Sequence, residues 1–231
     1  MQACRIAALD LACRRGDRVL FRGLGFALGP GEALHLAGPN GIGKSSLIRI
    51  LAGLLRPYAG SVEREGALAL ADERPALDAH LPLGRALEFW RRFDRAGSAT
   101  LDSAIASLGL DNLLDVPVRY LSTGQRKRAA LARTLLGGAP VWLLDEPLNG
   151  LDSATTAAVE GLVAAHILAG GIAVIASHQP FALGGMARLE LEDKAPPLQG
   201  KGWGGVSPHF PALSKPTDPT PNPSPEGEGL K

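Results

Sequence analysis

Apolar residues along this chain change texture twice, from strand-like alternation to helical spacing and back again. Ile6-Ala7-Ala8-Leu9-Asp10-Leu11 and Leu24-Gly25-Phe26-Ala27-Leu28 read as strands. Gly29-Pro30-Gly31-Glu32 is a turn signal, and it leads into a third alternating run, Ala33-Leu34-His35-Leu36-Ala37. Residues 45–55 are apolar at helical spacing and stop before Pro57, with a turn through Gly60. A short strand is predicted over residues 67–71. From about residue 78 to residue 138 the pattern is helical, with apolar stripes over 83–93, 101–108 and 122–136. Strand texture returns at Val141-Trp142-Leu143-Leu144, a continuous apolar run of the kind covered on both faces. A helix over 153–168, a second buried strand over 172–176 and a last strand over 187–191 complete an α/β pattern interrupted by a helical insert.

Composition shifts near the end of the chain. Residues 195–231 are Pro/Gly-rich and without periodicity, and such a tail is expected to be disordered because it buries too little apolar surface to offset its ordering entropy. Residues 1–194 are the expected folded domain. The net charge of +1, with acids and bases interspersed, lacks the basic footprint of a nucleic-acid binder. Cys4 and Cys13 match neither a metal nor a redox spacing. No secretory signal peptide is expected, and no apolar run approaches the length of a membrane span.

Gly38-Pro39-Asn40-Gly41-Ile42-Gly43-Lys44-Ser45, followed by Ser46, carries the GxxxxGK[ST] pattern between a strand and a helix. The glycines let the loop curl so that backbone N–H groups face a pyrophosphate, and the helix N-terminus adds partial positive charge. Lys44 would reach the terminal phosphates and the Ser45 hydroxyl would ligate Mg²⁺. About 100 residues on, the run of residues 141–144 ends in Asp145-Glu146, at the carboxyl end of a strand where α/β ligand sites lie. Asp145 can hold Mg²⁺ and Glu146 can polarise an attacking water; an acidic helix cap after a core strand is the plainer alternative. Leu121-Ser122-Thr123-Gly124-Gln125 opens a basic helix. Ser122 suits an N-cap, and equally a second anion site serving another subunit's ATP.

These pieces, with Asn149-Gly150-Leu151-Asp152 and Ser177-His178, stand in the order and spacing of ABC-transporter ATPase subunits, which the chain resembles over essentially residues 1–192. The resemblance implies a P-loop NTPase fold, with a RecA-like core, an antiparallel β subdomain and an inserted helical subdomain at about residues 78–138. It implies a homodimer with two ATP molecules sandwiched between the phosphate loop of one copy and the signature loop of the other. Asp152 would lie at that seam, and His178 would contact the γ-phosphate, although a histidine after a strand is by itself commonly just hydrogen-bonded. Two positions depart from the family. Glu73 falls where a metal-side Gln is usual, and a carboxylate there can still ligate Mg²⁺. No aromatic stands near residues 13–17 to stack on adenine, so Arg15 either stacks its guanidinium on the base or is a solvated hairpin residue.

Within the family, Cys13-Arg14-Arg15-Gly16-Asp17-Arg18-Val19-Leu20-Phe21, the Leu148–Asp152 loop and Ser177-His178-Gln179-Pro180 resemble the ATP-binding subunits of cytochrome c maturation haem exporters. That likeness implies an ATP hydrolase coupled to transport, peripheral on the cytoplasmic face of a bacterial inner membrane. Its partners would be integral membrane subunits of a cytochrome c maturation complex. An exporter with another cargo and a soluble, non-transport ABC ATPase stay open at this point.

Overall fold

The computed structural model describes residues 4–72, 75–94 and 96–191. Two sheets organise them. β1 (Arg5–Arg15), β2 (Arg18–Leu28) and β4 (Ala59–Glu65) form an antiparallel sheet in the order β2-β1-β4. β3 (Ala33–Ala37), β5 (Leu68–Ala71), β6 (Val141–Asp145), β7 (Ile172–Ala176) and β8 (Ala187–Glu190) form a second sheet in the order β5-β6-β7-β3-β8, parallel at every pairing. Helix α1 (Lys44–Leu51) follows β3, and α5 (Ser153–Leu168) joins β6 to β7. Between β5 and β6 lie α2 (Leu83–Phe93), α3 (Ser98–Ser107), two short 3₁₀ turns and α4 (Thr123–Leu136).

The parallel strands β3, β6 and β7 are buried at every residue. Alternation then deals their side chains to two cores. Trp142, Leu144, Ala173 and Ile175 pack with the helical insert and α5, through residues such as Leu83, Leu87, Val159 and Val163. Val141, Leu143, Ile172 and Val174 pack on α1 and the antiparallel sheet, with Leu47, Ile48, Ile6 and Phe26. The two cores hold α1 and α4 on opposite faces of one sheet.

Most predicted elements are present, with three differences. The helix expected over 45–55 ends at Leu51, because Gly53 takes φ +78° and the Leu54 amide turns back to the Arg49 carbonyl at 2.9 Å. The second strand begins at Arg18 rather than at residue 24. The turn expected through Gly60 is part of a strand, β4. Its residues are largely exposed and polar, so no apolar alternation marks it. Tertiary pairing with β1 creates it, and Gly60 is required there: a Cβ would lie 2.3 Å from the Asp10 carbonyl oxygen. From β4, Arg64 donates to the Leu51 carbonyl at 2.6 Å and the Ile50 carbonyl at 2.7 Å, capping the C-terminus of α1.

Candidate nucleotide site

The loop between β3 and α1 is shaped by three left-handed glycines, Gly38 (φ +135°), Gly41 (+79°) and Gly43 (+119°). A Cβ on Gly38 would sit 2.8 Å from the Leu191 carbonyl oxygen, and one on Gly43 would press on Leu20 at 3.1 Å. Pro39, Asn40 and Gly41 form an exposed tip, whereas Ile42 and Gly43 are buried. Gly43 is the N-cap of α1 and brings no side-chain cap, so the first-turn amides are left to whatever lies in front of them. Lys44 is buried and folds back over the loop, donating to the Gly38 carbonyl at 2.7 Å and the Pro39 carbonyl at 3.2 Å. Its ammonium lies 3.7 Å from Glu146 Oε1.

The acids meet this loop from β6. Ser45 Oγ donates to Asp145 Oδ1 at 3.0 Å, across 100 residues of chain. Burial pushes the Asp145 carboxyl above its ordinary range, with the Ser45 hydrogen bond opposing. Among the described residues no group of three or more His, Cys, Asp or Glu is arranged to hold a metal. A hydroxyl beside a carboxylate fits a cation of the Mg²⁺ type, which keeps one or two protein oxygens and takes the rest from phosphate and water.

Glu146 has φ +50°, a backbone region that costs a non-glycine residue about 1–3 kcal/mol. Its neighbours hold it there. The Glu146 amide donates to the Ala176 carbonyl at 2.8 Å, and its carbonyl accepts from Lys127 Nζ at 2.9 Å. His178 Nδ1 donates to Glu146 Oε2 at 2.8 Å, and the His178 amide reaches the same oxygen at 3.4 Å. Lys44, Ser45, Asp145, Glu146 and His178 are thus joined in one constellation at the carboxyl ends of β3, β6 and β7.

Leu121, Ser122, Thr123, Gly124 and Gln125 stand elsewhere, at the mouth of α4. Leu121 is buried in the core and anchors the loop. Ser122 and Gln125 form a reciprocal capping box: the Gln125 amide donates to Ser122 Oγ at 3.2 Å and the Ser122 amide to Gln125 Oε1 at 2.8 Å. Gly124 packs on the next loop, where a Cβ would be 2.8 Å from the Gly150 carbonyl oxygen. Asp152 caps α5, accepting from the Thr155 amide at 2.7 Å, and that bond holds its carboxyl below the usual range.

Arg15 is exposed at the end of the β1–β2 hairpin. Burial raises the Cys13 thiol pKa; the Arg15 charge and a hydrogen bond with Ser46 act in the opposite direction. The stacked arginine is its neighbour, since Arg14 lies over the Tyr58 ring at 5.0 Å. Glu73 lies outside the described residues. Two further residues carry no motif along the chain: Lys127, which holds Glu146, and His35, a polar residue in an otherwise apolar strand, whose Nε2 donates to the Ser177 carbonyl at 3.1 Å.

Residues 21–149 match the family described as ABC transporter. The chain belongs to the ABC transporter family. A cytochrome c biogenesis ATP-binding export protein CcmA of Novosphingobium aromaticivorans is 62% identical to this ABC protein over 196 residues, covering 85% of this chain and 100% of the relative. Its counterpart of the same name in Sphingopyxis alaskensis is 52% identical over 187 residues, covering 80% and 96%. Among solved structures, an RNase-L inhibitor shares 26% identity at a TM-score of 0.67, over 77% of this chain and 35% of that longer one. A bacterial Atm1-family ABC exporter with ATP bound has a TM-score of 0.70 at 22% identity, over 84% of this chain and 39% of that one, which is a likeness of fold.

Proposed function

We propose that this ABC protein is the ATP-hydrolysing subunit of the haem exporter used in cytochrome c biogenesis. The single observation that carries the ATPase reading is the joining of Lys44, Ser45, Asp145, Glu146 and His178 at the carboxyl ends of three parallel strands. The cytochrome c assignment comes from the relatives, one of which is matched over 100% of its length at 62% identity.

In this reading residues 38–46 cradle the phosphates of ATP, and Lys44 turns from the loop carbonyls to the terminal phosphates. Ser45 and Asp145 hold Mg²⁺, which when bound neutralises charge on the phosphate oxygens. Glu146 accepts a proton from the attacking water, and His178 orients Glu146 and meets the γ-phosphate. Glu73 is a further ligand of the metal in this proposal, and Arg15 stacks on the base. The ATP of one copy is completed by Leu121–Gln125 of the other, with Asp152 at the seam of the homodimer. Hydrolysis removes the phosphate that both copies hold, and the seam opens. The helical insert passes this motion to integral membrane subunits. No helix among the described residues is long and apolar enough to cross a membrane; the chain sits peripherally on the cytoplasmic face of the inner membrane through those partners.

The test is ATP hydrolysis by the full chain, alone and with the membrane subunits that co-purify with it. Mg²⁺-dependent turnover that rises on assembly and couples to haem export is expected. A co-purifying permease that moves another cargo would overturn the haem assignment while leaving the ATPase reading in place.

A further inference from the structure

His35 has no part in the family motifs, yet it is the only charged-type side chain in β3 and it is buried. Its Nε2 donates to the Ser177 carbonyl at 3.1 Å. That carbonyl belongs to the same peptide unit as the His178 amide, which points to Glu146 Oε2 at 3.4 Å. A trans peptide is rigid, with its C=O and N–H directed oppositely. One plane therefore runs from His35 on one side to the Glu146 carboxylate on the other. The Ser177 amide is held in turn by the Leu36 carbonyl at 3.2 Å, so adjacent residues of β3 fix Ser177 at both ends. The His178 ring leaves the chain directly after this plane and meets Glu146 at 2.8 Å.

We propose that His35 is a positioning residue for ATP hydrolysis, setting the orientation of the Ser177–His178 peptide and through it the His178–Glu146 contact. The inference rests on the reading of Glu146 and His178 given above and adds a residue to it. Without the His35 donor the Ser177 carbonyl is buried and unpaired, and the plane is free to rotate away from Glu146. The effect falls on turnover and spares ATP affinity, because Lys44 and Ser45 in the phosphate loop keep their own partners whatever the 177–178 peptide does.

The experiment compares His35→Leu, His35→Gln, His178→Ala and the His35→Leu/His178→Ala double variant in the full chain assembled with its membrane partners. His35→Leu is expected to lower kcat on the order of ten-fold, the scale of one lost hydrogen bond, with KM for ATP unchanged. His35→Gln, which restores an N–H donor, is expected to recover most of that loss. In the His178→Ala background His35→Leu is expected to cause no further loss. Wild-type kcat in His35→Leu beside a slowed His178→Ala would overturn this inference alone. So would a full additional loss in the double variant, or a His35→Gln as slow as His35→Leu. Wild-type kcat in His178→Ala would instead overturn the site reading, and the inference with it.

Discussion

The mouths of α1 and α4 are both entered through glycine-containing loops, and they are finished in opposite ways. At α1 the N-cap is Gly43, left-handed and without a side-chain cap, with a buried lysine and a buried aspartate gathered around the first turn. At α4 the N-cap is Ser122, whose hydroxyl and amide are both engaged with Gln125. One end leaves amides for an anion and concentrates charge where burial opposes it. The other satisfies its own backbone and stabilises the helix. A phosphate brought to α4 by a second copy would meet one hydroxyl that already accepts the Gln125 amide and keeps its own proton to donate, whereas one at α1 meets a first turn with no side-chain cap. The difference suits a helix end that is finished by a bound anion at α1 and one that stands stable without it at α4.

The largest expected effect is on the charged side. Glu146→Gln should reduce hydrolysis by ~10²–10⁴-fold, the range of general-base catalysis, and accumulate an ATP-bound dimer. Single-turnover kinetics and size-exclusion with light scattering measure both, and wild-type turnover would remove Glu146 from its role. Lys44→Met should reduce hydrolysis by ~10²–10³-fold, the scale of losing one preorganised donor. Single-turnover hydrolysis measures this, and wild-type turnover would mean that Lys44 does not reach the phosphates.

The capped side should behave the other way. Ser122→Ala is expected to cost about 1 kcal/mol of stability in denaturant melts, as losing an N-cap does. It should also weaken ATP-dependent dimerisation while leaving nucleotide binding by the single chain intact. Unchanged stability would show that the capping box contributes nothing. The smallest effect concerns Asp152, the cap of α5. The Thr155 amide holds its carboxyl below the ordinary 3.8, so its contribution to stability is present above that pH and lost as pH falls through the lowered native value. Asp152→Asn keeps a capping oxygen and should flatten that acid-side slope, read as melting temperature from about pH 2 to about pH 5. An unchanged slope would place the acid sensitivity elsewhere.

Much of this was readable along the chain. Strands β3, β6 and β7 are short apolar runs because a parallel sheet covered on both faces needs them, and the phosphate loop declares itself because its glycines answer a local backbone demand. The Ser122 cap of α4 is likewise a local signal, and the reciprocal bond from Gln125 came with the structure. β4 was not readable, since Ser61, Glu63 and Glu65 face away from the core and only the edge of β1 makes a strand of them. The left-handed Glu146 was equally hidden, because an acid at that position carries no sign of strain until Lys127 and Ala176 are seen to hold it.

What the chain alone determined is the set of local devices: the alternation that makes buried strands, the glycines that curl a loop, the serine that caps a helix and the acids that end a strand. These depend on neighbours within a few residues, so spacing records them. Tertiary structure decided which devices share a site. Ser45 meets Asp145, Lys44 meets Glu146, and His35 steadies the peptide before His178, because parallel pairing aligns the carboxyl ends of strands far apart in the chain. Hydrogen bonds of that kind depend on distances in space, which residue spacing does not encode.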